Sequence, residues 1–245
     1  MIRIVHLSDL HLSDGYFLPD TAEAVIESVN DITPDILVIT GDLTQYGSYN
    51  EYRNAEEWIG RIECRNRVIV PGNHDSRNVG YLLFEEIFGK RSSSHSFGRV
   101  TVVGVDSSQP DVDDGHIGRE MYDWIAECFR PGEIRVFALH HHLLPVPMTG
   151  RERQIPVDAG DVLELLCRCD VDLVLCGHKH VPWVWRLNGM LVVNAGTACS
   201  KSIKARTTHC YNLIEMEDER LWIYRVFPTG KRELIIDSIH ESKNK

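Results

Sequence analysis

Short apolar runs alternate with longer amphipathic segments along most of the chain. Ile2 to Leu7 is a strand-like run, a helical stretch follows near Ala22 to Asp31, and the pair repeats at Ile36 to Thr40 and at Tyr49 to Ile62. The same pattern predicts strands at Val68 to Val70, Val100 to Val105, Val136 to Leu139, Leu173 to Cys176, Val184 to Leu187 and Leu191 to Asn194. It places helices near Tyr81 to Phe88, Arg119 to Phe129 and Val162 to Arg168. After Ser200 the helical period stops, and three strand-like runs remain at Cys210 to Glu215, Leu221 to Phe227 and Glu233 to Ile239. The expectation is an α/β fold of two mixed sheets packed together with helices outside. The acidic stretch Glu215 to Glu219 reads as a solvated hairpin turn, and Trp183-Val184-Trp185 as a packed strand. Glu241 to Lys245 reads as a frayed tail.

The polar residues that matter are marked by position. Five apolar runs each end in a small residue and then in side chains able to ligate a metal. Ile4-Val5-His6-Leu7-Ser8 leads into Asp9-Leu10-His11, and Ile36 to Thr40 leads into Gly41-Asp42. Val68-Ile69-Val70-Pro71 leads into Gly72-Asn73-His74-Asp75, Phe137-Ala138-Leu139 into His140-His141-His142, and Leu173 to Cys176 into Gly177-His178-Lys179-His180. Ligands of open α/β sheets bind beyond the carboxyl ends of strands, so the five clusters are expected on one rim. Alternation at a strand end predicts that Asp9 pairs with His11, and His178 with His180. Gly41, Gly72 and Gly177 allow close backbone approach where a Cβ would obstruct.

Composition adds constraints. The 245 residues, 43% hydrophobic and 25% charged, suit one domain with a large core, 1–245, whose part from about 200 to 240 is β-rich. A formal charge of −10 argues against long nucleic acids and anionic membranes as partners but not against a phosphate substrate. The N-terminus enters a strand directly, with no signal-peptide pattern, and no apolar run approaches the roughly 18 to 20 residues of a membrane span. A cytoplasmic protein is expected. Seven cysteines, without zinc-ribbon spacing, read as reduced thiols. Oxygen and nitrogen ligands without thiolate fit Mn, Fe, Zn, Co or Ni better than Ca. If two divalent ions bind, Asp9 and Asp42 return only two of the four positive charges, and a net positive centre remains for a phosphoryl group.

Together these blocks resemble the calcineurin-like metallophosphoesterase superfamily, whose pattern is D-x-H, GD, GNH[DE], a histidine after a strand, and GHxH; all five are present in order between residues 9 and 180. Ser8-Asp9-Leu10-His11 and Gly41-Asp42-Leu43-Thr44 are similar to the class III cyclic-nucleotide phosphodiesterase branch. The resemblance implies an αββα sandwich with a dinuclear centre in which Asp42 bridges two divalent or trivalent ions. Asp9, His11 and His180 would complete one metal site, and Asn73, His140 and His178 the other. Asn73 and His74 would face the substrate, with His74 stabilising the phosphoryl group or protonating the leaving oxygen, and Asp75 orienting His74 or its loop. A metal-bridging hydroxide would attack phosphorus in line.

The branch commonly carries His-His-Pro-Pro where this chain has His140-His141-His142-Leu143-Leu144-Pro145. Register puts His140 in the ligand slot and leaves open whether His141 or His142 contributes. His116, in Asp113-Asp114-Gly115-His116, is a candidate substrate contact or an ordinary loop residue; His6, His95, His209 and His240 read as structural. The expected activity is hydrolysis of small phosphodiesters, cyclic nucleotides among them. A phosphomonoesterase, a nuclease or a noncatalytic metal-bound scaffold are the alternatives. Native metal and oligomeric state, monomer or homodimer, are not fixed by the sequence.

Overall fold

The computed structural model describes residues 1–239, so His240 and the tail from Glu241 to Lys245 lie outside the described residues. In chain order the first elements are β1 (Ile2–Leu7), α1 (Pro19–Ile32), β2 (Ile36–Thr40), α2 (Tyr49–Gly60), β3 (Arg67–Val70), α3 (Gly80–Phe88), β4 (Ser93–Phe97) and β5 (Val100–Gly104). A 3₁₀ turn at Arg119–Met121 then leads into α4 (Tyr122–Cys128), β6 (Ile134–Ala138), α5 (Ala159–Arg168), β7 (Leu173–Cys176), β8 (Trp183–Leu187) and β9 (Met190–Asn194). The last three strands are β10 (Tyr211–Glu217), β11 (Arg220–Val226) and β12 (Arg232–Ile239).

One sheet has the order β12-β11-β10-β1-β2-β3 and the other β4-β5-β6-β7-β9-β8. Within the first, β1, β2 and β3 are parallel, because α1 and α2 each carry the chain back to the same end. Within the second, β5, β6, β7 and β9 are parallel, with β4 and β8 antiparallel at the edges. Strand alternation divides the apolar side chains between three layers. Ile4, Ile36, Val38 and Val68 meet Val100, Val136 and Leu175 between the sheets. Val5, Leu7, Leu37 and Ile39 pack under Val25, Val29, Tyr52 and Trp58 of α1 and α2. Val103, Phe137 and Val174 pack under Ile125, Val162 and Leu166 of α4 and α5. The arrangement is the expected αββα sandwich.

The helix starts carry local signals. Pro19 occupies the first turn of α1, where its missing N–H costs nothing, and so the helix begins before the apolar period at Ala22. Glu51 caps α2 by accepting from the amide (2.9 Å) and hydroxyl (2.8 Å) of Ser48. Among the described residues, the one strand without a sequence signal is β4. Its centre, Ser94-His95-Ser96, is exposed and pairs on a single side, so no apolar alternation marks it. Residues Arg119 to Met121, read as the start of a helix, form the tighter 3₁₀ turn. No helix among the described residues is long and apolar enough to cross a membrane.

Candidate metal centre

The carboxyl ends of β1, β2, β3, β6 and β7 meet on one rim, and the turns leaving them are unusual. Asp9, His11, Asp42, His178 and His180 all hold left-handed backbone, with φ of 54°, 47°, 53°, 68° and 55°. Since β1 ends at Leu7 and β7 at Cys176, strand alternation does not create the Asp9/His11 and His178/His180 pairs; left-handed turns do. Such conformations cost roughly 1 to 3 kcal/mol each and persist where neighbours enforce them. Here the Asp9 amide donates to Gly41 O (3.0 Å) and the His11 amide to Asp42 O (2.9 Å). The His178 amide donates to both carboxylate oxygens of Asp9 at 3.1 Å. A Cβ at Gly177 would collide with the Ser8 hydroxyl and lie 2.7 Å from Asp9 Oδ2, and one at Gly72 would collide with the Asp42 carboxylate.

Those turns bring together two groups of acceptors. The ligand atoms of Asp9, His11, Asp42 and His180 lie within 4.8 Å of one another, all buried. His180 Nε2 is 3.3 Å from Asp9 Oδ1 and 3.3 Å from His11 Nε2. On the other side, Asn73 Oδ1 is 3.1 Å from His140 Nε2 and 3.0 Å from His178 Nδ1. Asp42 Oδ2 stands between the groups, 3.5 Å from His11 Nε2 and 3.5 Å from His140 Nε2. Tautomers follow from the outer partners. His140 Nδ1 donates to Thr40 O and His180 Nδ1 to Ser202 O, both at 2.7 Å, and His178 Nε2 donates to Gln154 Oε1 at 3.1 Å. In their neutral forms all three rings therefore present lone pairs inward. Buried nitrogen and oxygen acceptors converging in this way suit a cation, and the donor set fits the metal ions expected from the sequence. Cys176, the nearest thiol in sequence, turns to Asn194 Oδ1 (3.3 Å).

The electrostatics agree. Burial pushes His11 down to about 3 and also lowers His178 and His180, keeping them in the neutral, ligating form. Burial opposes a charge on His140 too, but Asp42, Asp9 and the Thr40 carbonyl outweigh it and raise its basicity. Burial likewise opposes ionisation of Asp42, yet the imidazoles of His140, His74 and His11 hold its carboxyl below the usual range.

Other candidates fall differently. His74 lies beside the first group, with its ring 4.8 Å from that of His11. Its amide donates to Asp42 Oδ1 (3.0 Å) and its Nδ1 to Gln45 O (2.9 Å). Asp75 does not touch the His74 ring. Its buried carboxylate accepts from the amides of Leu43, Thr44 and Gly72 and from the Thr44 hydroxyl, so it holds the loop and is not placed to meet a substrate. Of the three consecutive histidines only His140 turns inward. His141 is engaged by Ser107 Oγ (2.8 Å) and Asp113 O (3.1 Å), and His142 by Glu152 Oε1 (2.7 Å).

A cavity of about 260 Å³ opens over the cluster, lined by His11, Asp42, Asn73, His74, His178 and His180 together with Tyr16, Gln45, Asp113, Gln154, Ser202 and Lys204. His116 is not among its walls. Its amide is tied to Ser107 O, and its ring lines a separate cavity near Arg91 and Glu120. The residue of that loop which does reach the centre is Asp113, which carries no signal in the sequence beside the more ligand-like histidine. Gln154 and Lys204 lie on irregular loops with no periodic or motif signal.

A family model described as calcineurin-like phosphoesterase matches residues 2–182. The chain is 23% identical over 223 residues to a 3',5'-cyclic-nucleotide phosphodiesterase of a Nostoc species, covering 86% of this chain and 84% of the relative. It is 25% identical over 226 residues to the 3',5'-cyclic adenosine monophosphate phosphodiesterase CpdA of Escherichia coli, covering 86% and 80%. The solved structure of the purple acid phosphatase PPD1 from yellow lupin (Lupinus luteus) seeds is similar with a TM-score of 0.74 at 17% identity, a likeness of fold. That match covers 95% of this chain and 52% of the lupin chain, so the chain spans about half the length of that phosphatase.

Proposed function

Because the chain belongs to the calcineurin-like phosphoesterase family and is, by that membership, a metal-dependent phosphoester hydrolase, we propose that it cleaves small phosphodiesters, cyclic nucleotides among them, at a centre for two metal ions. The observation that carries the reading is the pair of acceptor groups sharing Asp42. Asp9, His11 and His180 would hold one ion, Asn73, His140 and His178 the other, and Asp42 would serve both. Bound there, Mn, Fe, Zn, Co or Ni ions would neutralise phosphoryl oxygens and make water a stronger nucleophile near neutral pH.

The protein's own residues do the rest. With only Asp9 and Asp42 as carboxylates among the ligands, the loaded centre keeps a positive charge that draws a phosphate anion into a chain of net charge −10. Gln45 O holds the proton on His74 Nδ1, so His74 would meet a leaving oxygen through Nε2, the nitrogen that Arg77 Nη2 also approaches at 3.4 Å. Tyr16, Gln45, Gln154 and Lys204 form the rim against which the uncleaved substituent would rest. A cavity this small suits a small ester better than a nucleic-acid strand. The resemblance to two cyclic-nucleotide phosphodiesterases supports the diester. Lys204 favours the alternative, a phosphomonoester, because a lysine at the rim suits a second phosphate charge.

The test is hydrolysis of bis(p-nitrophenyl) phosphate against p-nitrophenyl phosphate by chelator-stripped protein, with each metal restored singly. A metal-restored preference for the diester is expected. Preference for the monoester would replace the proposed substrate, and inactivity with metals demonstrably bound would make the protein a scaffold.

A further inference from the structure

We infer that Asp113 is the positioning residue that turns the Asn73 side chain toward the second metal site, an inference that rests on the two-metal reading above. An amide side chain has one donating and one accepting end, and which end faces the centre is decided by its other neighbour. Asn73 Nδ2 donates to Asp113 Oδ1 at 3.1 Å, which leaves Oδ1 facing His140 Nε2 and His178 Nδ1. The reversed amide would set its oxygen against the Asp113 carboxylate and its NH₂ in the place of the ligand oxygen. Asp113 opposes that orientation by acceptor repulsion and by loss of a charge-assisted bond.

The surroundings hold Asp113 in this place. Ser107 Oγ accepts from the His141 amide (3.2 Å) and donates to His141 Nδ1 (2.8 Å), so the ring keeps its proton on Nε2 and gives it to Asp113 O (3.1 Å). Gly115 lies so close to this ring that a Cβ there would be 2.7 Å from His141 Cγ. Arg77 Nη2 approaches Asp113 Oδ1 from the other side at 3.3 Å, and its guanidinium also reaches Gln45 O (3.2 Å) and His74 Nε2 (3.4 Å). One carboxylate thus links Asn73 to the arginine beside His74. The bond from His141 to the Asp113 backbone carbonyl gives that buried ring a function that needs no metal bond.

The experiment compares Asp113→Ala and Asp113→Asn with the unaltered protein, reading Mn(II) binding by equilibrium dialysis and electron paramagnetic resonance. The Asp113 side chain is 53% exposed, so neither change disturbs a core, and thermal melts check folding. The unaltered protein is expected to bind two ions with a spin-coupled spectrum. Asp113→Ala is expected to keep the first ion, weaken the second by about tenfold to a hundredfold, and show the spectrum of an isolated ion. Asp113→Asn, whose Oδ1 still accepts from Asn73, is expected to retain both. Two ions at unchanged affinity in Asp113→Ala would overturn the inference alone, as would loss of both ions together or an Asp113→Asn protein as weak as the alanine variant. An unaltered protein that binds fewer than two ions contradicts the two-metal reading itself and removes the inference with it.

Discussion

Replacing Asp75 by alanine perturbs the joint between the two loops that carry Asp42 and Asn73. The carboxylate is fully buried and accepts four hydrogen bonds, from Leu43 N (3.1 Å), Thr44 N (2.9 Å), Thr44 Oγ1 (2.8 Å) and Gly72 N (2.9 Å). Hydrogen bonds to a charged group contribute about 1.5 to 3 kcal/mol each, so the gross loss is on the order of 6 to 12 kcal/mol. Part of it is offset, because burial and then the nearby Asp42 charge raise the Asp75 carboxyl to about 6, and the variant escapes that unfavourable charge. A void the size of a carboxylate lined by amide donors also admits water. A net destabilisation of about 3 to 5 kcal/mol is expected, the range for breaking a buried charged network. Urea unfolding of metal-free protein measures it, and Thr44→Val alone should cost about 1 kcal/mol. In a double-mutant cycle the two losses should fall well short of additive. A change below about 1 kcal/mol for Asp75→Ala, or strict additivity with Thr44→Val, would refute the reasoning.

Three further outcomes are expected. Asp42→Ala should lose metal and activity together, whereas His74→Ala should keep its metals and lose about 10²- to 10⁴-fold in turnover; metal content and kcat separate the two. Gly177→Ala should destabilise the fold by about 1 to 3 kcal/mol and weaken metal binding at Asp9, read by thermal melts and metal titration, because the new Cβ must displace Ser8 or Asp9. Burial opposes ionisation of Glu51, but the Ser13 hydroxyl and the Ser48 and Gln45 donors lower its carboxyl below the usual range. Its contribution is therefore present above the ordinary carboxylate pKa and is lost as pH falls through the lower folded value. Glu51→Gln should melt below the unaltered protein at neutral pH, with the gap closing in acid.

The sandwich was legible because its buried strands are continuous apolar runs, as β2 and β7 illustrate, and its helices show the 3.6-residue period. β4 was not, since an exposed edge strand of serines and a histidine has no burial to record in its sequence. The rim was legible because ligand-type residues followed strands five times over. The route by which they meet was not: left-handed backbone at Asp9, His11, Asp42, His178 and His180 depends on hydrogen bonds between loops distant in sequence. For the same reason the Asp113-Asp114-Gly115-His116 loop is legible as a candidate but its contributing residue is not. Asp113 reaches Asn73 through a loop whose Gly115 packs on His141, a contact between segments distant in sequence.

The most direct test of the central claim titrates metal-free protein with Mn(II) while following bound metal and bis(p-nitrophenyl) phosphate hydrolysis in the same samples. Two equivalents are expected to bind, with the rate rising as the second site fills. Full hydrolysis by metal-free protein, or saturation of both binding and rate at a single equivalent, would contradict it.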